Sequence, residues 1–447
     1  MSDPFGLAQL PDPLPIEPVA GPIRDTPEVP GSKSVTNRAI VCAALATGTS
    51  RLGGALFADD TEAMLGVLRS LGIPAIPDAH QSSIEITGCA GQVPASPEPI
   101  DTRQSGTTSR FALPLLALGS GSYRVTAHPQ MLARPMGTTF DALAALGTGV
   151  EALGAPGHLP AVVTAGGARS AVLRVAGDTS SQFLSGLLMI GPCLADGLVV
   201  ELTTELVSRP YVELTIAVMA SFGAQVEQPD DRTFVVPSGG YTGTSYAIEP
   251  DASAASYPLA AAALCGGSVL VRGLGPDTLQ GDVAFAEVLG EMGATVTRDE
   301  RGTTVEAVAG QLRGGTFDFT HISDTAQTLA AIAPFADAPV TITGIGFIRR
   351  KEIDRVAAVA AELRRAGVRV DDDPDGWTIH PGLVAPTTFE TYDDHRMAMS
   401  FALIGLATPG ISIAGPACVA KTFPGYWAML EHIRAGSSGS GKNRTGR

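Results

Sequence analysis

An α/β fold built from six related repeats is what this sequence predicts. Three observations carry the prediction: a glycine-stopped helix that recurs, a capped helix opening that recurs at the same interval, and Val/Ile/Thr segments between them. The first element is an amphipathic helix ending in an apolar or small residue and then Gly. It stands at Leu71-Gly72-Ile73, Leu146-Gly147, Phe222-Gly223-Ala224, Met292-Gly293-Ala294 and Ala366-Gly367-Val368, at intervals of 70–76 residues. Glycine just past a helix end adopts the left-handed conformation that stops the helix before a strand. Ahead of Gly367, Val356, Val359, Ala360 and Leu363 fall at i, i+3, i+4 and i+7, the apolar stripe of a helix packed on one face.

The second element is a small or polar cluster that opens an Ala/Leu-rich helix. Such openings lie at Ser34, Gly106, Ser181, Ser253, Asp324 and His395, 71–75 residues apart. The third is the intervening strand, as at Ser268–Arg272 and Val340–Thr343. Each repeat therefore reads as helix, strand, helix, strand over about 70 residues. A last helix near Tyr426–Ile433 closes the sixth. Repeats this long can bury their helices against one another in compact domains. Two groups of three are expected, with the break near Glu249-Pro250-Asp251.

Composition narrows the function. The chain has 447 residues, 45% of them hydrophobic, and a formal charge of −15. Such an acidic surface disfavours nucleic acid and anionic membranes as partners. An acidic protein that binds anions must gather its cations locally. The five cysteines, Cys42, Cys89, Cys193, Cys265 and Cys418, are odd in number and lack CxxC spacing, so they read as small buried hydrophobes in a reducing compartment. The seven histidines are dispersed, and no metal or cofactor is expected. There is no basic stretch followed by an apolar run at the N-terminus and no apolar run of membrane-spanning length, which points to the cytoplasm. Residues 1–14 and the basic stretch 436–447 read as unstructured ends.

Cations do gather, at the helix openings. Lys33-Ser34 with Arg38, Gly106-Thr107 with Arg110, and His395-Arg396 mark three openings. Arg134-Pro135, Ser208-Arg209-Pro210, Lys351-Glu352 with Arg355, and Lys421-Thr422 mark the later segments. Helix N-termini favour anions, and Lys or Arg placed there adds charge-assisted contacts. Taken singly, Arg110, Arg209, Arg349 and Arg350 read as caps or surface charges. As a set, equivalent ends of repeated elements tend to face one region. Ser180-Ser181-Gln182-Phe183, a capping cluster when read alone, would then bring hydroxyl and amide donors there. Two carboxylates stand among these cations: Asp324, at a helix opening, and Glu352, between Lys351 and Arg355. They read equally as an N-cap and a salt-bridge partner or as groups able to move protons.

In order along the chain stand Val29-Pro30-Gly31-Ser32-Lys33-Ser34-Val35-Thr36-Asn37-Arg38, Ala133-Arg134-Pro135, Ser180-Ser181-Gln182-Phe183, Lys351-Glu352 with Asp354-Arg355, Asp394-His395-Arg396-Met397-Ala398-Met399 and Ala420-Lys421-Thr422-Phe423-Pro424. From about residue 16 to 434 this set resembles the 3-phosphoshikimate 1-carboxyvinyltransferase family of enolpyruvyl transferases. The resemblance implies an inverse α/β barrel fold of two domains, each of three βαβαββ repeats, with the active site in the cleft between them. It divides the chain into 15–32 with 250–435 and 33–249. It implies attack of the 5-hydroxyl of shikimate 3-phosphate on C2 of phosphoenolpyruvate, then loss of phosphate from a tetrahedral intermediate. By motif, Lys33, Ser34, Arg38, Ser180, Ser181, Gln182, Ser208, Asp324 and Lys351 would meet shikimate 3-phosphate. Lys33, Gly106, Arg134, Gln182, Arg355, Arg396 and Lys421 would meet phosphoenolpyruvate. Asp324 would accept the hydroxyl proton, and Glu352 would serve the methylene carbon with Lys33 assisting. A monomer is expected.

The chain departs from the family pattern at Gln104-Ser105-Gly106-Thr107, usually Asn-Ala-Gly-Thr, at Phe111, often Pro, and at Phe347, often Asn. Two rival readings are a UDP-N-acetylglucosamine enolpyruvyl transferase and a non-catalytic phosphometabolite-binding protein. The first typically has Lys-Asn where Lys33-Ser34 stands and a reactive Cys in a stretch where this chain has none between Cys89 and Cys193. The second would not require Asp324 and Glu352.

Overall fold

Helices that are apolar on every side must lie inside, and the helix that opens each repeat is of this kind. In the computed structural model, which describes residues 6–169 and 171–437, every residue of the helices Gly106–Ala117, Ala252–Cys265 and Ala326–Ile332 is buried. Lys33–Leu45, Ser181–Ile190 and His395–Ala407 are buried along nearly their whole length. Their alanine content lets the backbones approach closely. The later helix of each repeat is amphipathic. On Arg355–Arg365, Val356, Val359, Ala360 and Leu363 all face inward, as their spacing predicts.

The chain divides into two compact units, residues 1–30 with 250–447 and residues 31–249. In the unit containing 250–437, the helices Ala252–Cys265, Ala326–Ile332 and His395–Ala407 pack on one another. Three sheets belong to it. Ile23–Asp25 pairs parallel with Gly267–Arg272, which continues antiparallel through Gly302–Ala307 to Thr295–Asp299. Gly315–Asp318 pairs parallel with Val340–Thr343, then antiparallel through Gly376–Ile379 to Val370–Asp373. Thr388–Phe389 pairs parallel with Ile411–Ile413, and the antiparallel neighbour of that strand is Leu14–Ile16. The N-terminal segment thus supplies the first strand of one repeat and the last of another.

The unit 31–249 repeats the plan. Ser245–Ala247 pairs parallel with Thr49–Gly53, followed antiparallel by Ser83–Thr87 and Ala75–Asp78. Ile100–Asp101 pairs parallel with Ser122–Thr126, followed by Ala161–Thr164 and Gly149–Ala152. Val172–Val175 pairs parallel with Leu198–Leu202, which pairs antiparallel with Thr233–Val236. The helix Gly106–Ala117 packs against both Lys33–Leu45 and Ser181–Ile190.

The five helix-stopping glycines, Gly72, Gly147, Gly223, Gly293 and Gly367, all have positive φ. The strands beyond these glycines differ from the sequence reading. Most repeats close on an antiparallel pair of strands rather than one, because a second short alternating strand such as Ser83–Thr87 folds back on the first. The ends differ too. A 3-10 turn forms at Leu7–Gln9 with Leu7 buried, and a strand begins at Leu14, inside the segment expected to be unstructured. The last helix runs Tyr426–Ser437, past the expected limit of 435. The rest of the basic stretch, 438–447, and residues 1–5 lie outside the described residues. The chain passes between units after Pro30 rather than after Ser32. Among the described residues no helix is long and apolar enough to cross a membrane.

Candidate active-site residues in the two units

In the unit 31–249, the site residues collect at the first turns of buried helices. Ser32 caps the helix Lys33–Leu45, its Oγ accepting from the Val35 amide at 3.4 Å. That cap sets Lys33 and Ser34 in the first turn. Lys33 Nζ lies 3.6 Å from Asp60 Oδ2, and Asp60 is almost wholly buried. The Asp60 carbonyl accepts from Thr108 Oγ1 at 3.2 Å, which ties this pair to the opening of the helix Gly106–Ala117. Ser105 caps that helix through the Thr108 amide at 3.1 Å.

Gly106 sits beneath two guanidinium groups. A β-carbon there would lie 2.6 Å from Arg134 Nη1 and 3.0 Å from Arg110 Nη1. Arg110 Nη1 donates to Gln182 Oε1 at 2.8 Å, Gln182 Nε2 donates to Thr107 Oγ1 at 3.1 Å, and Arg110 stacks 4.8 Å from the Phe183 ring centre. Lys33, Gly106, Arg134 and Gln182 are thereby linked through Asp60, Thr107, Thr108 and Arg110. Ser180 caps the helix Ser181–Ile190, accepting from the Gln182 amide at 3.3 Å, and Ser181 opens it. Ser208, nearly buried, precedes the helix Arg209–Ser221 with φ of 52°, an unusual left-handed conformation for serine.

Arg38 is placed differently. It is fully buried and donates to Ser34 O, Thr215 Oγ1, Tyr211 O and Ser185 Oγ at 2.7–3.4 Å. Its guanidinium also lies near the Phe111 and Tyr211 rings, at 5.2 and 6.0 Å from their centres. Burial pulls its pKa down to about 10, which leaves it charged at neutral pH. Arg38 thus binds the helix Lys33–Leu45 to the two helices bearing Ser181 and Ser208. Its carbonyl bond to Ser34 fixes the first turn from below.

In the other unit, three cations meet three carboxylates. Arg355 opens the helix Arg355–Arg365 and is 2% exposed. Its Nε lies 2.8 Å from Asp394 Oδ2, its Nη2 lies 2.8 Å from Glu352 Oε2, and its Nη1 lies 3.5 Å from Asp324 Oδ1. Arg396 Nη2 donates to Asp324 Oδ2 at 2.7 Å. Lys421 Nζ lies 3.3 Å from Glu352 Oε1. Burial alone would lower the Arg355 pKa, but Asp394, Glu352 and Asp324 together more than offset it and hold it above its ordinary value. Buried charges persist only when paired, and here each cation faces at least one carboxylate of the cluster. Lys351 lies 5.9 Å above the Phe347 ring, at the end of the 3-10 turn Gly346–Arg350.

The elements that place these groups are not all helix starts. Asp324 sits in the 3-10 turn Ser323–Thr325, just ahead of its helix, and Lys421 ends the turn Pro416–Lys421. Taken singly, Arg209 and Arg349 are the structural contacts expected. Arg209 donates to Asp231 O, and Arg349 pairs with Asp354 and donates to the carbonyls of Asp373 and Pro374. Arg350 is exposed. Arg110 is the exception, being buried at the centre of its set. Sequence reasoning also passed over Asp60 and Asp394. Asp394 is the cap of the helix His395–Ala407, and that signal was present in Asp393-Asp394-His395-Arg396. Asp60 looked like an ordinary acid in a helix first turn. Among the described residues no group of three or more His, Cys, Asp or Glu side chains forms a metal-binding cluster, and the five cysteines are unpaired.

Known proteins share this plan. The enolpyruvyl transferase NikO from Streptomyces tendae has a TM-score of 0.72 at 18% identity, over 94% of this chain and 96% of that one. The fold is therefore that of the enolpyruvyl transferases, built of α/β repeats. The family is narrower. EPSP synthase from Acinetobacter baumannii gives a TM-score of 0.79 at 25% identity, over 94% and 97% of the two chains. The 3-phosphoshikimate 1-carboxyvinyltransferase of Nostoc punctiforme is 44% identical over 410 residues, 92% of this chain and 96% of that protein. That of Laribacter hongkongensis is 43% identical over 419 residues, 92% and 97%. The pattern of the family described as EPSP synthase (3-phosphoshikimate 1-carboxyvinyltransferase) matches residues 17–430, and the chain belongs to this family.

Proposed function

We propose that this chain transfers the enolpyruvyl group of phosphoenolpyruvate to the 5-hydroxyl of shikimate 3-phosphate and releases phosphate through a tetrahedral intermediate, a step of aromatic amino acid biosynthesis. The observation that carries the reading is the buried cluster of Arg355, Arg396 and Lys421 with Asp324 and Glu352. Each of these two carboxylates lies against cations suited to an anionic substrate. An entering phosphate or carboxylate competes for those cations. Asp324 and Glu352 are then turned from ion-pair partners into bases beside the reacting atoms.

In this reading Arg355, Arg396 and Lys421 hold phosphoenolpyruvate, together with Lys33, Arg134, Gln182 and the backbone at Gly106. Shikimate 3-phosphate takes the hydroxyls of Ser34, Ser180, Ser181 and Ser208, with Lys33, Gln182, Asp324 and Lys351. Arg38 reaches that ligand from its buried place or acts by fixing Ser34. Asp324 accepts the proton of the 5-hydroxyl as its oxygen bonds to C2. Glu352, with Lys33, protonates the methylene carbon C3 and removes a proton from it again as the C2–O bond to phosphate breaks. Protein groups alone supply this acid–base chemistry. The chain is read as a cytoplasmic monomer, and a dimer in sedimentation at micromolar concentration would contradict that part.

The test is isotopic. Run in deuterium oxide, the wild-type reaction is expected to place deuterium in the methylene group of the product. Glu352→Gln is expected to lower kcat by about 100-fold or more, in keeping with loss of a general acid–base group. A Glu352→Gln enzyme that retains wild-type rate and deuterium incorporation rules out the role given to Glu352.

A further inference from the structure

The segment that delivers Asp394 and Arg396 is strained. Tyr392 and Asp393 have φ of 53° and 58°, and the Asp394 amide closes a tight turn onto Thr391 O at 2.8 Å. Two successive left-handed non-glycine residues, one of them bulky, hold that shape only when neighbours impose it. The neighbours are identifiable. Thr391 Oγ1 donates to Ala414 O at 2.9 Å. Glu362, a carboxylate with no exposure, accepts from Tyr392 Oη at 2.7 Å and from the Glu390 amide at 3.0 Å, and pairs with Arg365.

Glu362 and Arg355 lie on one helix, seven residues apart, so two turns separate them along the same face. Arg355 grips Asp394 on one side of the strained turn, and Glu362 grips Tyr392 and the Glu390 amide on the other. Asp394 in turn accepts from the Arg396 amide at 2.9 Å and so fixes the start of the helix that carries the Arg396 side chain. The Tyr392 phenol, though the residue is 45% exposed, is pushed up to about 12 by partial desolvation and then by its bond to Glu362, so it stays a donor at neutral pH.

We propose that Glu362 and Tyr392 are positioning residues for the anion-binding pair Arg355 and Arg396: they clamp the strained turn so that Asp394 holds both arginines in place. The clamp rests on the assignment of those arginines to phosphoenolpyruvate, given above.

The experiment compares the full-length wild type with Tyr392→Phe, Tyr392→Gly and Glu362→Gln. Steady-state rates are measured with each substrate varied in turn, alongside amide hydrogen exchange over residues 391–397. Tyr392→Phe and Glu362→Gln are expected to raise KM for phosphoenolpyruvate about tenfold and leave KM for shikimate 3-phosphate within about twofold, with faster exchange at the Arg396 amide. Tyr392→Gly loses the hydroxyl but relieves the strain, since glycine adopts this φ freely, and is expected to lie nearer wild type than Tyr392→Phe. Both KM values moving together, no shift in the phenylalanine variant, or a glycine variant more impaired than it would overturn the clamp. A wild type that releases no phosphate sinks the functional assignment instead. Exchange then still judges the clamp: an unchanged rate at Arg396 in both Tyr392→Phe and Glu362→Gln overturns it.

Discussion

Gly106 shows how little room the site residues leave one another. A methyl group at this position would meet Arg134 Nη1 at 2.6 Å and Arg110 Nη1 at 3.0 Å, and both atoms are the far ends of long side chains. The side chains can move, so the fold should tolerate the methyl while the charges shift. A displacement of about 1 Å in a positioned group lowers rate or affinity by up to about 100-fold. Gly106→Ala is therefore expected to raise KM for phosphoenolpyruvate at least tenfold while the thermal midpoint stays within a few degrees. An unchanged KM would show that Arg134 does not contact that substrate. Legibility at this scale followed sequence distance. Lys33 and Arg355 stood out because their cap and motif neighbours are adjacent in the chain. Asp60, Asp394 and Glu362 did not, because their importance lies in partners brought near only by folding: Lys33 for Asp60, Arg355 for Asp394 and Tyr392 for Glu362. Arg110 was misjudged for the same reason, its partner Gln182 standing on another repeat.

Among elements, the buried helices were readable and the strands less so. A run such as Ala252–Cys265 has no polar face, and only an interior position suits it. The short strands that close most repeats carry four to six residues, too few for alternation to stand out from a loop. The N-terminal strand was not legible in the residue pattern, only in the family resemblance that joins 15–32 to 250–435, because its partner, Ile411–Ile413, lies nearly 400 residues away. Its seat is specific. At Gly405, on the helix His395–Ala407, a methyl would lie 2.5 Å from Ile16 Cβ and 2.6 Å from Ile16 Cγ2. Neither atom can swing aside as a long side chain would. Gly405→Ala is expected to destabilise the protein by about 1–3 kcal/mol, the usual range for overpacking. Adding Ile16→Ala should return part of that loss, so the double variant is more stable than the two single effects summed, as read from urea midpoints. Strict additivity would mean the strand does not pack on Gly405 in solution.

The whole chain carries a formal charge of −15, yet most charged residues of its candidate site are Lys and Arg. The resolution is local. Six helix openings recur at 71–75 residue intervals, and two of them carry a cation paired with an acid of the same unit, Lys33 with Asp60 and Arg396 with Asp324. This repeat was the most legible feature of the sequence because periodicity survives where residue identity does not. What periodicity could not supply was circular closure, in which Ile23–Asp25 and Leu14–Ile16 complete repeats whose other strands lie beyond residue 250. That unit therefore needs strands from far along the chain to close its sheets, as the unit 31–249 needs Ser245–Ala247 beside Thr49–Gly53. The central claim is that these openings serve one transfer reaction with one acceptor. Phosphate release from phosphoenolpyruvate, measured without acceptor, with shikimate 3-phosphate and with UDP-N-acetylglucosamine, tests it most directly. The account predicts release only when shikimate 3-phosphate is present, one phosphate for each acceptor consumed. Release driven by UDP-N-acetylglucosamine, or none with either acceptor, would contradict it.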